Sequence, residues 1–200
     1  MRVIGISGSP RKDGNSEILL SHALEPFREK GWDVVQFHLS NYNVLPCKGC
    51  DCCQDMGECV LQDDMKLLYE EYSKCDAVII ASPAYYRNVT AQLKALFDRT
   101  YATKTKRPLE GRVGGAIAVG RGQDGGQSIV LTIIYNYFLS LGMLCVPGEL
   151  NGVAASADKP GDILAQLNRL RQARTLGENI LRHAERLRGS EYAFCDRDVF

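Results

Sequence analysis

Apolar and polar positions along the chain fall into two alternating patterns. Short, wholly apolar or period-two runs predict strands: Arg2–Ser7, Trp32–Leu39, Asp76–Ser82, Arg112–Val119 and Met143–Val146. Runs with apolar residues three and four apart predict helices between them. The first, Ser16–Lys30, carries Ile18, Leu19, His22, Ala23 and Phe27 on one stripe; Pro26 interrupts it and Gly31 ends it. Further helices are predicted over Asp64–Lys74, with Asp63 or Asp64 as N-cap, and over Thr90–Thr100, Gln127–Leu141 and Asp162–Leu187. The last is expected to break near Gly177. Residues 40–63 show no periodicity, and the tail 189–200 carries Tyr192, Phe194 and Phe200 without a clear pattern.

Five strands separated by helices imply an α/β fold, a doubly wound parallel sheet of order 2-1-3-4-5. Two hundred residues suit one domain. The expected division is a ligand-binding domain over residues 1–150, with the irregular segment 40–63 inside it. Residues 151–200 form a C-terminal helix and tail that pack on the domain or on an oligomer partner. Lys plus Arg and Asp plus Glu are both 24, so the formal charge is zero. A nucleic-acid binder needs a surplus of positive charge, so none is expected to bind. No apolar run of membrane-spanning length occurs, and MRVIGISGSPRKDGNS lacks the apolar core of a signal peptide. The expectation is a cytoplasmic chain without a membrane partner.

In such sheets ligands bind where the strands end. GSPRKDGNS follows the first strand and opens a helix, whose free N–H groups and dipole favour an anion. Ser9, Arg11, Asn15 and Ser16 add hydroxyls, an amide and a positive charge. A Walker A loop is excluded, since Asn15 stands where its lysine belongs. A monophosphate, such as that of FMN, fits better; a plain capped turn is the other reading. Pro83 stiffens the loop after the third strand, where Tyr85 and Tyr86 offer flat faces and Asn88 an amide. The tyrosines could equally serve the core or an interface. Gly120–Gly125 matches GxGxxG but follows the fourth strand, which favours a flavin-side loop over a dinucleotide fingerprint or a plain flexible loop.

Five of the eight cysteines lie between Cys47 and Cys59. Cys47, Cys50, Cys53 and Cys59 have the spacing C-x2-C-x2-C-x5-C, with Cys52 as an extra. Two-residue spacers let thiolates gather round a [4Fe–4S] cluster. A zinc site, or free thiols, are the alternatives. Cys75, Cys145 and Cys195 are isolated. His22, His38 and His183 form no catalytic pattern, so the chemistry is expected to belong to a cofactor, with no catalytic side chain.

Taken together, GSPRKDGNS, CKGCDCCQDMGECVLQDDM, SPAYYRNVTAQLKALFDR and GRGQDGGQ resemble the NAD(P)H-dependent FMN reductase-like flavoproteins. The cysteine motif is similar to that of their iron–sulfur flavoprotein branch. The resemblance covers about residues 1–150. It implies a flavodoxin-like fold, FMN, a [4Fe–4S] cluster and a homodimer or homotetramer. It also implies a ferredoxin-like or NAD(P)H electron donor and a small acceptor such as a quinone, O2 or H2O2. Matched position by position, Ser9, Arg11, Asn15 and Ser16 would hold the FMN phosphate. Pro83, Ala84, Tyr85 and Asn88 would meet the ring or ribityl chain, and Gly120, Arg121, Gly122 and Gly126 would complete the site. Cys47, Cys50, Cys53 and Cys59 would ligate the cluster; Cys52 departs from the minimal pattern and competes for the third position. The first functional reading is therefore an electron-transfer oxidoreductase using both groups. A cluster-free NAD(P)H-dependent FMN or quinone reductase, and a zinc-stapled module without turnover, stand beside it.

Overall fold

The structure, a computed structural model, describes residues 1–188; the aromatic tail and Cys195 lie outside the described residues. In chain order the strands are β1 (Arg2–Ser7), β2 (Asp33–His38), β3 (Ala77–Pro83), β4 (Val113–Gly120), β5 (Leu144–Cys145) and β6 (Val153–Ser156). The helices are α1 (Asn15–Glu29), α2 (Cys52–Met56), α3 (Met65–Tyr72), α4 (Ala91–Arg99), α5 (Gln127–Ser140) and α6 (Leu167–Leu187). The expected order is observed: β2-β1-β3-β4-β5, every pairing parallel. The fifth position holds two short strands. β5 pairs with Val113 and Gly114, and β6 pairs with Ile117–Gly120 further along β4. Pro147 follows directly after Val146 and cannot donate to the ladder, so pairing stops there and resumes at Val153. The sheet therefore continues past residue 150.

The central strands are apolar on both faces because both are covered. Val3, Ala77, Ile79, Ile117 and Val119 face α1 and α6; Ile4, Ile6, Val78, Ile80, Ala116 and Ala118 face α3, α4 and α5. Successive residues of one strand point to opposite sides, so one run feeds both layers. Pro26 lies inside α1 without ending it. It forfeits one backbone donor near the end of the helix, while its own carbonyl accepts from Lys30 N at 3.1 Å.

Contrary to expectation, α6 is unbroken at Gly177. That glycine is buried where α6 crosses α1, and a Cβ there would lie 2.0 Å from the Ala23 carbonyl oxygen. The residue is a contact point between two helices, not a break. Gly177→Ala should force α1 and α6 apart and cost about 1–3 kcal/mol. A urea midpoint unchanged from the parent chain would refute this.

Candidate functional site

The C-terminal ends of β1, β3, β4 and β6 border a cleft of about 450 Å³. Of the residues expected there, Ser9, Arg11, Asn15, Ser16, Pro83, Ala84, Tyr85, Gly120 and Arg121 line it. Asn88, Gly122 and Gly126 are not on its wall. Gly14, Tyr86, Val119, Ala157, Asp158 and Pro160 complete the lining. The last three follow β6, whose small residues, Val-Ala-Ala-Ser, carry too little apolar contrast to mark a strand.

The loop after β1, where an anion is expected, turns free donors toward the cleft. Gly8 N donates to Ala81 O at 2.8 Å, which ties the loop to β3. The Ser9 hydroxyl accepts from Arg11 N and donates to Arg11 O, both at 3.1 Å. Gly14 caps α1 without any side-chain bond; Glu17 N donates to Gly14 O at 2.9 Å, and the N–H groups of Asn15 and Ser16 remain available to a ligand. Ser16 is buried beside them, and no described residue pairs with the Arg11 guanidinium. Asn15 lines the cleft and also braces it. Its side chain donates to Lys159 O at 2.8 Å and accepts from Ile163 N at 3.2 Å. It therefore fastens the segment after β6, which carries Asp158 and Pro160, over the cleft. Arg121 Nε pairs with Asp158 Oδ1 at 2.9 Å at the cleft margin.

The loop after β3 turns through a two-residue hairpin. Tyr85 N donates to Asn88 O at 2.9 Å and Asn88 N to Tyr85 O at 3.0 Å. Tyr86 and Arg87 both have positive φ, +51° and +62°, which non-glycine residues seldom adopt. Tyr86 is fully exposed at the tip. Asn88 uses its side-chain oxygen locally, accepting from Val89 N at 2.8 Å. Gly126 sits beneath the turn: a Cβ there would lie 2.7 Å from Arg87 Cα. Gly122 contributes its carbonyl to Gln127 Nε2 at 2.8 Å and Ser156 Oγ at 2.6 Å. The second glycine loop thus lines the cleft with Gly120 and Arg121 and braces it from behind with Gly122 and Gly126.

The cysteine segment occupies the 46–62 loop. It contains the short helix α2, with Asp51 at φ +57° on one side and Gly57 at φ +66° on the other. Cys47 and Cys50 are exposed; Cys52, Cys53 and Cys59 are half-buried. The thiols are not equivalent. The amide and thiol of Cys52 hold the Cys50 thiol below its ordinary range, and Cys50 in turn pushes Cys52 up. Burial pushes the Cys53 thiol up, its own backbone hydrogen bond opposing the rise. The Cys52 thiol turns back on Cys50, whose carbonyl accepts from it at 3.5 Å. Four sulfur donors on one short loop suit an iron–sulfur group chemically. Among the described residues, no three His, Cys, Asp or Glu side chains are drawn together in ligating geometry.

The roots of that loop meet a buried ion pair absent from the sequence reading. Arg99 and Asp63 have side chains 1% and 0% exposed. Arg99 Nη1 donates to Asp63 Oδ2 at 2.6 Å and Leu45 O at 2.9 Å; Nη2 donates to Asp63 Oδ1 at 2.9 Å. Asp63 also accepts from Leu45 N at 2.9 Å and Met65 N at 3.1 Å. Burial pushes its carboxyl up, but Arg99 and these amides outweigh burial and hold it below the usual 3.8. Arg99 Nε is buried without a partner.

α4 connects the two regions. At its start Thr90 caps the helix and donates from Oγ1 to Gly8 O at 2.6 Å, in the anion loop. At its end Arg99 holds the cysteine loop. At about 1.5 Å per residue, the two anchors lie roughly 13 Å apart along the axis.

Residues 1–157 match the family described as NADPH-dependent FMN reductase. The chain is 36% identical to an iron–sulfur flavoprotein of Methanocaldococcus jannaschii over 184 residues, 90% of this chain and 95% of that one. It is 42% identical to the iron–sulfur flavoprotein of Methanosarcina thermophila over 147 residues, 73% and 77% of the two chains. A flavodoxin, WrbA-like protein from Agrobacterium tumefaciens superposes with a TM-score of 0.66, covering 92% of this chain and 97% of that one at 14% identity. That last likeness is one of fold, and the fold is flavodoxin-like. No described helix is long and apolar enough to cross a membrane.

Proposed function

This chain belongs to the NADPH-dependent FMN reductase family, in its iron–sulfur flavoprotein branch, and is a flavin-dependent oxidoreductase; on that premise we propose that it carries electrons between a [4Fe–4S] cluster on the cysteine loop and FMN in the cleft, for delivery to a small acceptor. The observation that carries this reading is α4, one nine-residue helix anchoring the anion loop at its start and the cysteine loop at its end. When bound, the cluster supplies one-electron and FMN two-electron chemistry.

The chain's residues position both groups. Ser9, Arg11, Ser16 and the free N–H groups of α1 receive the phosphate; Asn15 supports them by holding the 159–163 segment in place. The Tyr85–Tyr86 turn, with Pro83 and Ala84 at its base, supplies the wall for a flat ring. Gly120 and Arg121 supply the opposite margin. Gly122 and Gly126 act through the shape of the loops, and Asn88 through its hairpin. Cys47, Cys50, Cys53 and Cys59 are the ligands, Cys53 in preference to Cys52 because the Cys52 thiol is turned onto the Cys50 carbonyl at 3.5 Å. NAD(P)H or a ferredoxin-like protein is the proposed donor.

Protein purified without oxygen should show flavin absorbance, a broad shoulder near ~400 nm and about four irons per chain. Cys59→Ala should lose the iron and keep FMN. Flavin without iron would overturn the cluster and leave a direct NAD(P)H-dependent reductase. Zinc without flavin would overturn both parts.

A further inference from the structure

We propose that Asp63 and Arg99 are the positioning pair of the cysteine loop: they fix its two roots to the end of α4 and so set the spacing at which the four thiols close on one ligand. The part concerning the roots stands on geometry alone; the part concerning the ligand rests on the cluster reading above.

No residue from 46 to 62 is buried. A loop without a core of its own takes its order from its ends. Those ends are Leu45 and the Leu61–Met65 segment, and one guanidinium reaches both. Arg99 takes the Leu45 carbonyl and the Asp63 carboxylate, with Leu61 O at 3.5 Å; Asp63 returns to Leu45 N and Met65 N. Asp64 joins the ends to each other, through Asn43 N to its carboxylate at 2.7 Å and its own amide to Asn43 O at 3.1 Å. The buried pair adds what that bond lacks, a fixed relation to α4 and through Thr90 to the anion loop. Closing a loop costs entropy, and a clamp at its base removes that cost before any ligand arrives. A rigid planar fork suits this task; a lysine retains the charge but not the geometry. A buried pair is also poor evidence of a purely stabilising role, since apolar residues of similar volume often stabilise as well or better.

That last point supplies the test. Arg99→Lys keeps the charge and loses the fork. The double variant Asp63→Leu/Arg99→Met removes both charges and should fold. Hydrogen exchange is measured on iron-free, FMN-loaded protein. In both variants, the hydrogen-bonded amides of the loop and its root, those of Leu45, Gln54 and Gly57, should exchange at least about tenfold faster, while those of β1, β3 and α1 keep their rates. After anaerobic reconstitution with iron and sulfide, both variants should hold much less iron than the parent and surrender it faster to a chelator, at unchanged FMN content. Unchanged loop exchange overturns the clamp. Iron and FMN lost together, with faster exchange throughout, reduces the pair to general stability and also overturns it. If the parent chain takes up no iron, the cluster reading fails, and loop exchange alone still decides whether the clamp exists.

Discussion

Asp63→Asn lowers the stability of the folded chain by about 3–5 kcal/mol, the largest single-residue effect expected outside the central core. Its amide is close in shape to the carboxylate, so little packing is lost. What changes is charge: the Arg99 guanidinium, 1% exposed, is left without its counter-ion. The net worth of the intact pair is smaller, because the desolvation of both ions must be set against their attraction. The double apolar variant should therefore recover much of the loss. The pH dependence has a definite sign. The folded-state pKa of Asp63 is depressed below 3.8, so its stabilisation is complete above that ordinary value and disappears as pH falls through the lower folded value. Denaturant midpoints measured from pH 7 down to pH 3 check both statements. Parent stability should fall in the acid limb, and the double variant should lack Asp63's share of that fall. A single mutant as stable as the parent at pH 7 would contradict the assigned pairing.

The contrast between what was and was not legible in the sequence follows from locality. β1, β3 and β4 are legible because burial on both faces demands an unbroken apolar run, and little else produces one. The anion loop and cysteine motif are legible because their chemistry depends on close spacing. Asn15 lines the cleft as its position suggests, but the partners it braces, Lys159 and Ile163, are over 140 residues away. Asp63 reads as a helix cap, and it does accept from Met65 N. Nothing near it in sequence announces Arg99, which lies on another helix 36 residues on. Gly177 and Gly126 show a related limit. Each glycine stands where another backbone approaches, and such an approach is a tertiary fact. α2 and β6 escaped because one is a single turn and the other four small residues.

Gly126→Ala should weaken FMN binding by about tenfold to a hundredfold, although residue 126 does not line the cleft. Two costs combine at this position. Its φ is +94°, outside the conformations an L-residue readily adopts, which costs on the order of 1–2 kcal/mol. The added Cβ would also stand 2.7 Å from Arg87 Cα, a backbone atom that no side-chain rotation can move away. Relief must come from the hairpin, because α5 is fixed behind Gly126 by Val130, Leu131 and Ile134 in the core. The hairpin is already strained at Tyr86 and Arg87, so it has little tolerance for displacement. Tyr85 and Tyr86 move with it, and they form the wall proposed for the flavin ring. Stability should fall at the same time by about 1–3 kcal/mol from overpacking. Flavin titration of apo-protein by fluorescence quenching separates the two effects, since a folded fraction above nine-tenths can be verified at the same temperature. As a control, Gly122→Ala also meets a positive φ, +67°, but no atom lies within 4 Å of its Cβ. It should pay the backbone strain and leave the hairpin in place. Equal losses of FMN affinity in the two variants would show that strain alone governs binding and that Gly126 has no particular hold on the tyrosine wall.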